Sequence, residues 1–322
     1  MTKQDLRIVY MGTPDFAVET LRLLVERQYN VVAVVTMPDK PAGRGHKIQY
    51  SPVKQYALSV GLPILQPEKL KDEAFIEELR SYKADLQIVV AFRMLPQIVW
   101  DMPPMGTFNL HASLLPQYRG AAPLNWAIMN GDKETGITTF FLTHEIDTGK
   151  VIQRRSIPIA DNDNVGVIHD KLMCMGAEMV CETVDNIIAD NITAIPQEEL
   201  MTDQPLRPAP KIFKETCHLD FTRNVIELHN QVRGLSPYPA AWCEFVSPDE
   251  NITGVKVFET SIQECQHNKP YGAIITDGKR NIQIACERGL LNILSLQLAG
   301  KKRLSAEELL RGFRLTNEYT AR

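Results

Sequence analysis

Leu6-Arg7-Ile8-Val9-Tyr10-Met11-Gly12-Thr13-Pro14-Asp15-Phe16-Ala17-Val18-Glu19-Thr20-Leu21-Arg22-Leu23-Leu24-Val25 is the stretch that decides how this chain folds. Leu6 to Met11 is a short apolar run of strand length, and past Gly12 the apolar residues take up a helical period. Pro14 has a preset φ and no N–H to satisfy, so it suits the first turn of a helix, predicted over Asp15 to Gln28. The same alternation continues outward. Val31 to Thr36 reads as the next strand, Val53 to Ser59 and Glu68 to Ser81 as helices, and Leu86 to Ala91, Thr107 to Leu110 and Ile137 to Leu142 as further strands. Strands alternating with helices predict an open α/β fold with a mostly parallel sheet. Val151 to Ile159 fits an antiparallel edge strand, and Val165 to Ala189 has the length and apolar spacing of a long closing helix.

The chain is longer than one typical domain. At 322 residues, with 44% apolar and 23% charged residues, it has the composition of a globular protein with two cores. No stretch approaches the roughly 18 apolar residues of a membrane span, and the N-terminus runs into a strand rather than a leader's hydrophobic region. A cytoplasmic protein is expected. Six cysteines without a C-x-x-C pair predict reduced thiols. The net charge of -4 is uneven: 19 Lys and Arg stand against 26 Asp and Glu up to residue 206, and 16 against 13 beyond it. A mildly basic C-terminal third suits a polyanionic partner about as well as a solvated surface.

Pro196, Pro205, Pro208 and Pro210 mark a semi-rigid extended segment between Ile195 and Lys211. Beyond it, Ala241 to Val246, Val255 to Glu259, Gly272 to Thr276, Ile282 to Cys286 and Leu291 to Leu296 are apolar pieces at roughly ten-residue spacing. Ser247-Pro248-Asp249 and Asp277-Gly278 punctuate them. That pattern predicts a small β-barrel or sandwich.

The residues with chemistry to offer cluster in Phe108-Asn109-Leu110-His111-Ala112-Ser113-Leu114-Leu115-Pro116. Side chains two apart on a strand share a face, so Asn109 and His111 project together from the carboxyl end of a strand, where open α/β sheets bind ligands. An amide donor for a developing oxyanion beside an imidazole is the equipment of acyl transfer, although the pair also fits a histidine satisfied in a polar loop. Asp147-Thr148-Gly149 follows another strand; its carboxylate is placed to orient His111, and the same tripeptide makes an ordinary turn. His144, Glu145 and Asp147 have the chemistry of metal ligands, but no further histidine pattern accompanies them, so no metal is expected. The first strand ends in Met11-Gly12-Thr13-Pro14 rather than G-x-G-x-x-G, which disfavours a nicotinamide enzyme. A phosphate loop and a nucleophile elbow are also missing.

Together these residues resemble the folate-dependent formyltransferases, whose shared pattern is Asn-x-His, then Ser-Leu-Leu-Pro, then a distant Asp-x-Gly. Asn109-Leu110-His111, Ser113-Leu114-Leu115-Pro116 and Asp147-Thr148-Gly149 match it in order. Arg119-Gly120-Ala121-Ala122-Pro123 extends the match. Lys40-Pro41-Ala42-Gly43-Arg44-Gly45 and Leu296-Gln297-Leu298-Ala299-Gly300-Lys301-Lys302 are similar to segments of the methionyl-tRNA formyltransferases in particular.

The resemblance implies a Rossmann-like formyltransferase domain over 1–190, a linker over 191–210, and an OB-like tRNA-binding barrel over 211–322. It implies formyl transfer from 10-formyltetrahydrofolate to initiator methionyl-tRNA, with no obligate protein partner and no membrane. By position, Asn109, His111 and Asp147 match the catalytic residues. Ser113, Leu114, Leu115 and Pro116, with Val90, Ala91 and Phe92, match the folate site. Arg44, Lys40 and Lys47, with Lys301 and Lys302, match tRNA-facing segments. Arg93 stands where that family usually has glycine, and Glu145 where it has a small residue. Small-molecule formyltransferases, a formyltetrahydrofolate hydrolase and a non-catalytic RNA-binding protein are the rival readings.

Overall fold

The computed structural model of the chain describes residues 1–42 and 47–322, with side chains for 1–39 and 49–322. It contains two compact units. The first comprises Met1–Gly120, Gly136–Ile157 and His169–Pro208, and the second Ala121–Thr135, Pro158–Ile168 and Ala209–Arg322. Two segments that precede residue 170 thus belong to the second unit, an interleaving that a boundary drawn along the sequence does not express.

The first unit is built on a seven-stranded sheet. Its strands are β1 (Ile8–Gly12), β2 (Val31–Val35), β5 (Ile64–Leu65), β6 (Leu86–Val90), β7 (Thr107–His111), β8 (Glu134–Phe141) and β9 (Val151–Pro158), in the order β5-β2-β1-β6-β7-β8-β9. The five strands from β5 to β7 run parallel, β8 is antiparallel to β7, and β9 is the edge strand, as the sequence predicts. A small hairpin of β3 (Lys40–Ala42) and β4 (Lys47–Gln49) stands apart.

β1 and β6 are buried along their whole length because helices cover the sheet, which explains their unbroken apolar runs. Alternate residues Val9, Met11, Val35 and Val89 meet Phe75, Ile76 and Leu79 of α3 (Glu73–Ser81) in one core. α1 (Asp15–Glu26) buries Phe16, Leu21 and Leu24, each contributing about 1.5–3 kcal/mol of transfer free energy. Pro14 is the residue before the first helical one rather than part of the first turn. α2 (Pro52–Ser59) and α4 (Gln97–Trp100) are the other helices among the described residues before Gly120.

α6 (Val165–Ile188) supplies the predicted long helix. Among the described residues no helix is long and apolar enough to cross a membrane.

The second unit carries α5 (Pro123–Met129), α7 (Val225–Leu235) and a strand array. The array is β10 (Ala241–Val246), β11 (Ile252–Glu264), β12 (Ile274–Thr276), β13 (Ile282–Cys286), β14 (Gly289–Leu298), β15 (Leu304–Ser305) and β16 (Thr320–Ala321), with α8 (Ala306–Leu310) between the last two. Its order is β12-β13-β14-β11-β10-β16, with β15 on β14, and the pairs β10–β11, β11–β14, β13–β14 and β12–β13 are antiparallel. β16 nearly closes the array into a barrel. It pairs with β10, while a bridge from Thr320 to Ala273 reaches the segment leading into β12.

α7 is absent from the elements expected of the sequence, although Val225, Leu228, Val232 and Leu235 recur at helical spacing and Asn224 caps the first turn by accepting from Ile226 N. α7 packs on α5 at Gly234, where a Cβ would come within 2.5 Å of Met129 Cγ, so only glycine permits this approach.

The Asp277-Gly278 turn carries a titration of its own. Backbone N–H groups of Lys279, Arg280 and Asn281 all donate to Asp277 Oδ1 at 2.8–3.0 Å. These bonds, led by that of Arg280, hold the carboxyl down at about 2, below its ordinary 3.8. A depressed carboxylate stabilises the fold above its unfolded value, and that contribution is lost as pH falls through the folded one. Asp277→Asn is therefore expected to lower the Tm at neutral pH, and the difference from wild type should close between about pH 4 and pH 2. Thermal melts of both proteins across that range check it; a difference independent of pH would show that the carboxylate charge is not involved.

Candidate active site

β7 presents Asn109 and His111 on one face, as their spacing requires. His111 is buried, and its Nε2 hydrogen-bonds to the Tyr118 carbonyl at 2.9 Å. The carbonyl can only accept, so Nε2 carries a proton and Nδ1 is left facing Asp147 Oδ2 at 3.9 Å. That is an ion-pair distance, too long for a direct hydrogen bond. Asn109 Oδ1 is buried without a hydrogen-bond partner among the described residues. An unpartnered carboxamide oxygen beside an imidazole and a carboxylate is costly for folding and fits a substrate N–H that would complete it.

Asp147 reaches His111 by a route the sequence does not reveal. β8 runs antiparallel to β7, pairing Phe108 with Phe141 and His111 with Thr138, so the carboxyl end of β8 lies beside the start of β7. The loop after β8 returns along the sheet. Phe141 N donates to Lys150 O, and Gly120 N donates to Asp147 Oδ2 at 2.9 Å. Asp147 adopts a left-handed φ of 56°. Gly149 passes so close to β8 that a Cβ there would lie 1.6 Å from Phe141 O.

The Ser-Leu-Leu-Pro segment is held internally. Ser113 Oγ donates to Gln117 O, Thr138 Oγ1 donates to Ser113 O and accepts from Leu115 N, and Arg154 Nη1 donates to Leu115 O. Ser113, Leu115 and Pro116 are buried, which leaves Leu114 as the more open side chain of the four. Val90 is in the core, Ala91 is exposed and turns the chain with a φ of 46°, and Phe92 is half-buried. Arg93 points back to the Pro67 and Glu68 carbonyls, and its guanidinium lies 5.6 Å from the centroid of the Phe92 ring.

A cavity of about 660 Å³ is lined by Leu70, Leu95, Pro96, Ile98, Trp100 and His144, with Lys71 also on its wall; Asn109, His111, Asp147 and the residues matched to the folate site are not among its lining. His144 meets Trp100 edge-on at 5.4 Å. The sequence gives no sign of this cavity, nor of Gln197, whose buried side chain enters the site from the segment expected to be a linker.

The basic residues are scattered by comparison. Arg44 lies outside the described residues, while the backbones of Lys40 and Lys47 belong to the β3–β4 hairpin. Lys54, the next lysine along the chain, is tied to Asp39 and Gln66. Lys301 and Lys302 are exposed at the turn after β14, and the next cation, Arg303, is bonded to Ser295 and laid over Phe258. Among the described residues no group of three or more His, Cys, Asp or Glu is placed to hold a metal.

Comparison with known proteins agrees with this architecture. The formyl transferase family matches residues 6–184, and the formyl transferase C-terminal domain matches 211–314. A methionyl-tRNA formyltransferase of Bacteroides thetaiotaomicron is 66% identical over 319 residues, covering 99% of both chains, and one of Porphyromonas gingivalis is 50% identical over 320 residues with the same coverage. Among solved structures, an N-formyltransferase from Helicobacter canadensis in complex with folinic acid and dTDP-3-aminofucose superposes with a TM-score of 0.64. It is 18% identical and the match covers 89% of this chain and 98% of that one. HypX from Aquifex aeolicus, in complex with tetrahydrofolic acid, gives 0.63 at 20% identity over 95% of this chain and 47% of its own. A two-domain match of this extent, on a fold whose first unit brings Asn109 and His111 of β7 to Asp147 of the loop after β8, places the chain in the methionyl-tRNA formyltransferase family of folate-dependent formyltransferases.

Proposed function

We propose that this enzyme transfers the formyl group of 10-formyltetrahydrofolate to the free amino group of initiator methionyl-tRNA in the cytoplasm, giving N-formylmethionyl-tRNA for translation initiation. The observation that carries the reading is the meeting of the Asn109 carboxamide, whose oxygen has no partner among the described residues, with the His111–Asp147 pair. The attacking amine forms a bond to the formyl carbon, the carbonyl oxygen takes up negative charge, and the bond to the folate nitrogen breaks. The proton lost by the amine balances the one gained by that nitrogen. Asn109 donates through Nδ2 to the oxygen while it is charged, and protonated His111 donates through Nε2 in place of its bond to the Tyr118 carbonyl, while Asp147 holds the imidazolium from its Nδ1 side.

The cavity walled by Trp100, His144, Leu95 and Ile98 suits the flat aromatic part of the folate. Leu114, Ala91 and Phe92 are assigned to the folate by their match to the family, and the buried Ser113, Leu115 and Pro116 to fixing the shape of that segment. Lys40, Arg44 and Lys47 in the first unit, and Lys301 and Lys302 in the second, are assigned to tRNA phosphates.

The deciding experiment supplies 10-formyltetrahydrofolate with either charged initiator or charged elongator methionine tRNA. Formylation of the initiator alone is expected; formylation of a nucleotide sugar or another small amine in preference to tRNA would overturn the acceptor assignment. In a salt series, Lys301→Ala/Lys302→Ala should weaken tRNA binding and flatten the log–log slope by about 0.7 to 0.9 per lost phosphate contact, with folate affinity unchanged. An unchanged slope would remove these two residues from the interface.

A further inference from the structure

We infer that Gln197 is a positioning residue for the reaction, recruited from the segment after α6 to hold the Asp147 carboxylate at His111; this rests on the role given to Asp147 above. Gln197 is 1% exposed and every polar end of its side chain is used. Its Nε2 donates to Asp147 O and to Gly149 O, both at 2.9 Å, and its Oε1 accepts from Arg119 Nε at 3.1 Å and Nη2 at 2.7 Å. The residue after Arg119 is Gly120, whose N–H donates to Asp147 Oδ2. Gln197, Arg119, Gly120 and Asp147 form a ring, closed by hydrogen bonds and by the Arg119–Gly120 peptide bond, that grips Asp147 by its carbonyl and by its carboxylate at once.

Asp147 takes a left-handed φ of 56°, which Asp tolerates better than most residues, and the ring fixes the loop in that turn. The grip is itself anchored. Two residues before Gln197, Ile195 makes a reciprocal backbone pair with Val151 at 2.8 Å in each direction, and Pro196 leads into the short helical turn Gln197–Leu200. The 142–150 loop is thus fixed at its exit by Ile195 and at its centre by Gln197. An amide is the one uncharged side chain of this length that can donate twice to carbonyls and still accept from an arginine.

The test is a double-mutant cycle in the full-length protein. Gln197→Met keeps the volume and removes the donors; Gln197→Glu keeps the partner of Arg119 but turns a carboxylate toward two carbonyl oxygens. Each is expected to lower kcat by about 10- to 100-fold, with tetrahydrofolate affinity and the KM for tRNA moved by less than about threefold. In an Asp147→Asn background the Gln197 changes should cost less than about twofold more, because the residue acts through that carboxylate. Wild-type kcat in both Gln197 variants, or losses that multiply fully with Asp147→Asn, would overturn the proposal and leave Gln197 a packing residue. If instead Asp147→Asn alone kept wild-type kcat, the role of Asp147 would fail first, and the two failures are read from different arms of the cycle.

Discussion

Replacing Asn109 with alanine is expected to lower kcat by roughly 100- to 1,000-fold, the usual cost of a preorganised donor aimed at a developing oxyanion. Removing it also abolishes a buried carboxamide oxygen that has no partner among the described residues, so folding should survive or improve slightly. That combination is the signature of a functional residue. A structural asparagine would show the opposite pattern, with a lower Tm and unchanged turnover. Asp147→Asn should be comparably impaired, since it keeps the shape that accepts from Gly120 but loses the charge facing His111. The measurements are single-turnover rates with saturating donor and acceptor, alongside thermal melts. Turnover near the wild-type level in either variant would mean that formyl transfer uses other residues.

Gly149→Ala is expected to cost about 100-fold in kcat by a different route, because it touches no substrate group. The new Cβ would sit 1.6 Å from Phe141 O, far inside contact distance, and the obstacle is backbone of β8 rather than a side chain that can rotate away. The loop must move by about an ångström or more, and Asp147, two residues away, moves with it. The two bonds from Gln197 lengthen together. Gly312→Ala is the control, since nothing lies within 4 Å of its added methyl. Kinetics and melting curves of the pair decide the matter. If Gly149→Ala retained full activity, the close approach of the loop to β8 would not be needed to hold the carboxylate.

Much of this molecule was legible in the order of its residues. Period-two and apolar runs located β1, β2, β6, β7 and most strands of the C-terminal array, because burial on a sheet imposes a local repeat that needs no knowledge of the partner strand. The shared face of Asn109 and His111 follows from two-residue spacing alone. The folding back of the loop after β8 does not: Asp147 was expected near His111 from the carboxyl ends of two strands, yet β8 is antiparallel to β7 and its carboxyl end is the wrong one. Strand direction is set by pairing between distant residues, and no periodicity reports it.

Gln197 was hidden for a similar reason. A polar residue after Pro196 in a proline-rich run has the local chemistry of a solvated linker, and only the Ile195–Val151 bridge buries it against Asp147. The placement of 121–135 and 158–168 with the C-terminal unit is equally non-local, since it depends on contacts such as Gly234 against Asn125 and Met129, made by residues more than a hundred positions apart. Sequence by itself determined which segments are strands and which side chains share their faces, through repeats enforced within a few residues. Tertiary structure decided which loop carbonyls meet which buried amide, because those partners are chosen by long-range packing that leaves no periodic trace.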